Sequence, residues 1–292
     1  MTAPSPQVIL GTANLTGSRL LGRDSSIDFV GRFQTPMEMA SVFNDAAAAG
    51  VDAVATLNQL DILAALTKTR RIFPELQVYP IIPNVIGYVR EATDYGLVGA
   101  ARRRVRQMAI LDLLKIGIRG ALKAPGVLKR DFNTLMSILF DVELASFKSL
   151  RPRVVFLHPQ ITDLALAFGN RPLFELYSRV MRDRFHAEPG LATNNLGWLL
   201  PKLKEWNLTF PFVLTPFNSS GFLMKPSQAG CEALLASTPS VVIADKVDAA
   251  EDPKRETWDY LRRHNIRAAM IEFWDDTSLS TTIKNAKRFL AA

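Results

Sequence analysis

Ala268-Ala-Met-Ile-Glu-Phe-Trp274 is the stretch on which the fold turns. Four apolar residues lead into a single glutamate, so a strand here buries both faces and then offers one charge near its C-terminal end. Alternate residues of a strand share a face, which sets Met270 with Glu272 and Ile271 with Phe273. A carboxylate turned into a packed helix layer is costly. Glu272 is therefore expected on the inner face, and a short strand buried on both faces belongs to a parallel sheet covered by helices.

Seven further stretches have the same character. They are Val8-Ile-Leu-Gly-Thr-Ala-Asn14, Asp52-Ala-Val-Ala-Thr-Leu-Asn58, Val78-Tyr-Pro-Ile-Ile-Pro-Asn84, Arg153-Val-Val-Phe-Leu-His-Pro159, Phe212-Val-Leu-Thr-Pro-Phe-Asn218 and Val241-Val-Ile-Ala-Asp-Lys246, with Leu191-Ala-Thr-Asn-Asn195 the faintest. Helical periodicity fills the gaps, over 36–49, 59–73, 164–185, 196–206, 228–237, 254–264 and 278–290. Thr35 is placed to cap the first of these, and Gly50 to end it. Strands alternating with helices through right-handed crossovers close into an α/β (β/α)8 TIM barrel, here a single domain over 1–292. A doubly wound open sheet is the structural alternative.

The third strand-to-helix connection is far longer than the others. Residues 86–150 are expected to form a helical insertion, with helices over Leu97–Lys123 and Asp131–Lys148 separated by Ala124-Pro-Gly126. It leaves the C-terminal end of a strand, so it is read as a lid over the barrel mouth. Nine basic residues and one aspartate between Leu97 and Arg130 give this segment +8 of the chain's net +7, leaving −1 elsewhere. Val105, Met108, Leu111, Leu114, Ile118 and Leu122 make an apolar stripe beside that charge. Such a helix can touch an anionic membrane surface peripherally, cover an anionic substrate, or present a solvated basic face. Nucleic acid is not expected, because aromatic residues are not interleaved with the charges. The second helix, with Phe132, Met136, Phe140 and Phe147, is apolar enough to line a pocket.

A hydrophobic fraction of 48% supports a sizeable core. One cysteine, Cys231, excludes an internal disulfide and a cysteine-rich zinc or iron–sulfur site, and suits a reducing compartment. No apolar run reaches membrane-spanning length, and the first residues carry no leader pattern. A soluble, cytoplasmic protein is expected.

In a TIM barrel the working residues stand at the C-terminal strand ends. Glu272, Lys246 and His158 are the candidate catalytic groups, with Lys246 and Glu272 on neighbouring strands and His158 across the barrel. On strand seven the longer lysine is assigned to the inner face with Val242 and Ala244, leaving Asp245 outside. Asn84, Asn194, Asn218, Thr56 and Asn58 hold comparable terminal positions and are candidate substrate contacts. Three roles stay open for Lys246: a Schiff-base amine, an anchor for a substrate carboxylate or phosphate, or a structural partner of Glu272. No recognised metal-ligand spacing occurs, so no metal is expected, and no cofactor is required by these residues.

Several segments resemble the aldo-keto reductase barrel. Gly11-Thr-Ala13 is similar to the family's first inward strand, Gly50-Val-Asp-Ala-Val-Ala-Thr56 to its glycine-led second, and Val155-Phe-Leu-His158 to its fourth, which ends in a catalytic histidine; Ser278 to Leu290 is similar to its last helix. The resemblance implies a carbonyl reductase using NADP(H), with His158 as the retained catalytic residue. Ala55 stands for the family's aspartate, Leu60 for its tyrosine, and Ile82-Pro-Asn84 replaces its lysine. Ordinary hydride transfer is not expected from such a set. The sequence is thus read as a divergent barrel enzyme doing acid/base or Schiff-base chemistry, of lyase or isomerase type, on a carbonyl-containing, partly apolar small molecule, anionic where Lys246 or the basic insertion acts as its anchor. The alternatives are a divergent NADP(H)-dependent reductase, and a non-catalytic barrel docking a membrane or partner through its basic insertion.

Overall fold

The computed structural model describes residues 7–16, 33–85, 87–88, 93, 132–247, 255–272 and 276–291. Eight strands are β1 (Gln7–Gly11), β2 (Ala53–Thr56), β3 (Gln77–Ile82), β4 (Val154–Leu157), β5 (Glu188–Ala192), β6 (Phe212–Pro216), β7 (Val241–Asp245) and β8 (Ala268–Glu272). They are parallel and close in sequence order into one barrel, β8 pairing with β1 from Gln7–Ala268 through Gly11–Glu272. The fold is the expected (β/α)8 TIM barrel. Around it lie α1 (Pro36–Ala48), α2 (Leu60–Ile72), α3 (Phe132–Ala145), α4 (Pro159–Ala167), α5 (Arg171–Arg179), α6 (Leu196–Glu205), α7 (Gln228–Leu235), α8 (Arg255–Arg263) and α9 (Asp276–Ala291).

Local chemistry accounts for these elements. Glu38 N donates to Thr35 Oγ1 at 3.3 Å and Thr35 N donates to the Glu38 carboxylate at 2.9 Å, a reciprocal cap that starts α1 with Pro36 in its first turn. Gly50, at φ +96°, turns the chain into β2. The single helix expected over 164–185 is instead two. α4 starts earlier, at Pro159, and stops before Gly169 at φ +61°; Asn170 Oδ1 then accepts from Leu173 N and α5 begins with Pro172 in its first turn. A π-helical turn, Val180–Arg184, completes the segment. Gly-Asn-Arg-Pro is a stop followed by a start, and it outweighs the apolar periodicity running through it.

The barrel interior is filled by alternate strand residues, among them Ile9, Ala55, Tyr79, Phe156, Leu214, Ile243 and Met270. A larger core lies between sheet and helices. Strand β5 starts earlier than expected, at Glu188, because Pro189-Gly190 reads as a turn yet pairs with Val155-Phe156. A Cβ on Gly190 would stand 2.6 Å from the Phe156 ring. Gly190→Ala is accordingly expected to cost about 1–3 kcal/mol, the range for overpacking a filled core, read as a lower urea midpoint.

Of the insertion, 87–88, 93 and 132–150 are described, whereas 97–130, with the basic stripe and the membrane or lid role assigned to it, lies outside the described residues. No residue of α3 lines the cavity that holds His158 and Glu272. α3 packs as the outer helix between β3 and β4, Phe140 meeting the Tyr177 ring edge-on at 5.4 Å. Two buried carboxylates help to fix it. Asp141 accepts from Arg184 Nη1 at 2.7 and 2.8 Å. Glu143 Oε2 accepts from Asn84 N at 3.3 Å. Among the described residues no helix is long and apolar enough to cross a membrane.

Candidate active site

A cavity of about 270 Å³ opens at the C-terminal ends of the strands. Its lining includes His158, Asn194, Thr56, Lys246 and Glu272, so five of the eight candidate residues meet there. Ala55, Ile81, Leu214 and Met270 supply apolar walls, and Thr12, Thr193 and Asp245 add polar groups.

Glu272 follows Met270 on the inner face, as expected. Its carboxylate lies against β1 where Gly11 pairs with it, and a Cβ at Gly11 would come within 2.6 Å of Oε1. The glycine thus makes the room that lets this side chain, only 5% exposed, reach the mouth.

His158 lies across the barrel, in line with the inward Val154 and Phe156 of β4. It also caps α4: Gln160 N donates to His158 Nδ1 at 3.3 Å. An accepting Nδ1 leaves the proton on Nε2, and among the described residues nothing hydrogen-bonds that atom. Burial holds the imidazole pKa down at about 4. The ring is therefore neutral at physiological pH and offers one N–H. Between the ordinary histidine value and about 4, the unfolded chain binds a proton that the native ring does not. Its contribution to stability is complete above pH ~6.5 and lost as pH falls through about 4, a difference of about 3 kcal/mol. His158→Gln is expected to flatten that part of a melting-temperature profile against pH.

Lys246 reaches the mouth by a different route from the one expected. The inward residue of β7 is Ile243, not Val242 or Ala244, so Asp245 has the inward parity. Lys246 lies past the strand end in a left-handed conformation, φ +56°, which bends its side chain back. Its N–H donates to Asp245 Oδ1 at 2.7 Å and its Nζ to Asp245 Oδ2 at 2.6 Å. The partner of Lys246 is Asp245 and not Glu272.

Parity sorts Asn194, Asn58 and Asn84 correctly; Thr56 lines the cavity despite the outward parity it shares with Val54, and Asn218 does not despite the inward parity it shares with Leu214. Asn194 follows Gly190 and Ala192 onto the inner face. Thr56 reaches the rim and receives the Thr12 hydroxyl at 3.0 Å. Asn58 and Asn84 turn outward to α3 instead: Asn58 Nδ2 donates to Glu143 O and Ser146 Oγ, and Asn84 Nδ2 donates to Asn58 O at 2.9 Å. Asn218 braces its own loop, Oδ1 accepting from Phe222 N and Ser220 Oγ, each at 2.8 Å. These three hold loops in place and do not line the cavity. Asp245, Thr12 and Thr193 were not among the expected site residues. Among the described residues no group of three or more His, Cys, Asp or Glu side chains could hold a metal ion.

No protein-family model matches the sequence, and no curated protein matches it significantly. Solved structures do align. Two from Pseudomonas aeruginosa, named provisionally as aldo-keto reductases, are 14% identical, cover 99% of this chain and 94% or 95% of their own, and have TM-scores of 0.58. An aldo-keto reductase from Brucella melitensis aligns at 12% identity over 98% of this chain and 94% of its own, with a TM-score of 0.48. Residues 248–254 and 273–275, which follow β7 and β8, lie outside the described residues. Over nearly its whole length, this chain is similar in fold to the aldo-keto reductase barrel.

Proposed function

We propose that the barrel mouth catalyses proton transfer at a carbon next to a carbonyl group, chemistry of the isomerase or lyase type. The observation that carries this is the pairing of a carboxylate with a neutral imidazole across one small cavity. Glu272 projects from β8 and His158 from the end of β4, four strands away around the barrel. A substrate lying between them meets an acceptor on one side and a hydrogen-bond donor on the other. Glu272 takes the proton from the α carbon, the C–H electron pair becomes the new C=C bond, and the carbonyl electrons move to oxygen. His158 Nε2–H donates to that oxygen as its charge develops. Returning the proton to the γ carbon of a β,γ-unsaturated carbonyl completes an isomerisation; if the enolate electrons instead re-form the carbonyl and expel a β-hydroxyl or β-amino group, which leaves with a proton, the result is an α,β-unsaturated carbonyl and the reaction is of lyase type.

A cavity of about 270 Å³ lies near the small end of ligand pockets, which run from about 300 to 1,000 Å³, and suits a metabolite-sized ligand. Ile81, Leu214 and Met270 suit an apolar part of it. Lys246, engaged by Asp245, supplies positive charge at the rim; a lysine committed to a carboxylate 2.6 Å away is not presented as a free Schiff-base amine. The test is deuterium uptake at the α carbon, followed by NMR, across small aldehydes, ketones and 2-oxo acids. Accelerated uptake by at least one is expected. No uptake across the panel, together with carbonyl-dependent oxidation of NADPH, would replace this reading by a reductase, which the retained His158 favours. Borohydride added during turnover is expected to leave the protein mass unchanged; an adduct on Lys246 would restore the Schiff-base route.

A further inference from the structure

Asp163 is a partly buried carboxylate in the middle of α4, facing the end of β5. Burial raises its pKa, and hydrogen bonds from Thr193, Asn194 and Asn195 oppose the rise. Two of these contacts reach the mouth. The Thr193 hydroxyl donates to Oδ1, and Asn194 N donates to Oδ2 at 3.1 Å. The Thr193 hydroxyl in turn accepts from Asn195 N at 2.9 Å, so the turn leaving β5 is held at three consecutive residues. Thr193 and Asn194 line the cavity beside His158, and β4 and β5 are adjacent strands. Helix α4 therefore carries both devices. Its N-terminal amide fixes the His158 tautomer, and its Asp163 fixes the neighbouring strand end. Among the described residues no hydrogen bond engages the Asn194 side-chain amide.

The geometry points to Asp163 as a positioning residue that holds Asn194 so that its side-chain amide and His158 Nε2–H form a two-donor cradle for one substrate oxygen. The ligand class is an enolate or similarly charged planar oxyanion, seated at the β4–β5 edge opposite Glu272. This deepens the function proposed above and rests on it for the role of His158. A cradle of this kind binds an oxyanion whether or not Glu272 moves a proton, which lets the two ideas be judged apart. Two preorganised donors in a water-poor site favour the ionised form of a bound phenol over the neutral one.

The probe is para-nitrophenol, whose phenolate absorbs visibly, titrated into the full chain at a pH near its own midpoint. Wild-type protein is expected to bind it and raise the phenolate absorbance. Asn194→Ala removes a donor at the cavity surface, and Asp163→Asn removes the acceptor that orders it. Each is expected to weaken phenolate binding at least about tenfold, as for a lost hydrogen bond to a charged group. The double variant is expected to lose no more than either alone. A merely structural Asp163 would lower the melting temperature and leave the spectrum of bound probe unchanged. Wild-type phenolate binding in folded Asp163→Asn, or in Asn194→Ala, would overturn the proposal, as would no binding by the wild type. Catalysed α-carbon exchange without phenolate binding would sink the cradle and spare the proton-transfer reading; binding without exchange would do the reverse.

Discussion

Glu272→Gln is expected to lower catalysed α-carbon deuterium uptake by about 10²- to 10⁴-fold, the usual contribution of a positioned general base. The amide keeps the size and shape of the carboxylate, so it can rest in the space above Gly11 that a Cβ would occupy. It cannot take up a proton at the pH of the assay. Binding of substrate should change far less than turnover, since an interaction used only in the transition state shows in kcat and not in KM. Glu272→Asp withdraws the carboxylate by one methylene from a substrate fixed at the opposite wall, and an intermediate loss is expected. Gly11→Ala should imitate the chemical lesion while leaving the carboxylate chemically intact, because its methyl group meets the carboxylate oxygens at 2.6–2.9 Å and must push them aside. Exchange retained in Glu272→Gln would move the base to Asp245, the other carboxylate lining the cavity.

How much of this site was legible in the sequence follows from where strand parity applies. Parity assumes an extended backbone, and at β4 and β8 that assumption holds up to the residue of interest. Phe156 predicts His158, and Met270 predicts Glu272. At β7 the strand ends on Asp245, and Lys246 sits in a left-handed turn that no alternation describes. Counting back from the lysine therefore inverted the strand. Parity also separates asparagines that composition cannot: Asn194 continues the inward Gly190 and Ala192, whereas Asn58 lies on the opposite face from Ala53 and Ala55 and turns toward α3. Asp163 left no sequence signal. A polar residue on a helix usually faces solvent, and its use is set by Thr193 and Asn194, about thirty residues downstream on another strand. The barrel itself was legible because eight apolar strands admit few arrangements. The role of α3 was not, because an apolar helix reads alike whether it covers a mouth or packs against a sheet.

Arg184→Met is expected to destabilise the protein by about 3 kcal/mol, the low end of what breaking a buried ion pair costs. Arg184 leaves the π-helical turn after α5 and places Nη1 on both oxygens of Asp141, whose side chain is 3% exposed while the arginine's is 25% exposed. Loss of the guanidinium removes two hydrogen bonds and the facing positive charge from a desolvated carboxylate, and the partial exposure of the arginine keeps the loss from reaching the upper end of the range. The effect should appear as a lower urea midpoint at an unchanged slope, since the surface exposed on unfolding stays the same. Replacing both partners tests the cause. Asp141→Leu combined with Arg184→Met removes the buried charge along with its cation, and such exchanges are often neutral or stabilising when the volume is well packed. The double variant should recover most of the stability lost in Arg184→Met alone. A double variant as unstable as the single one would mean that Arg184 matters through its packing, and that α3 is held against α5 by contacts such as Phe140 on Tyr177 and not by this pair of charges.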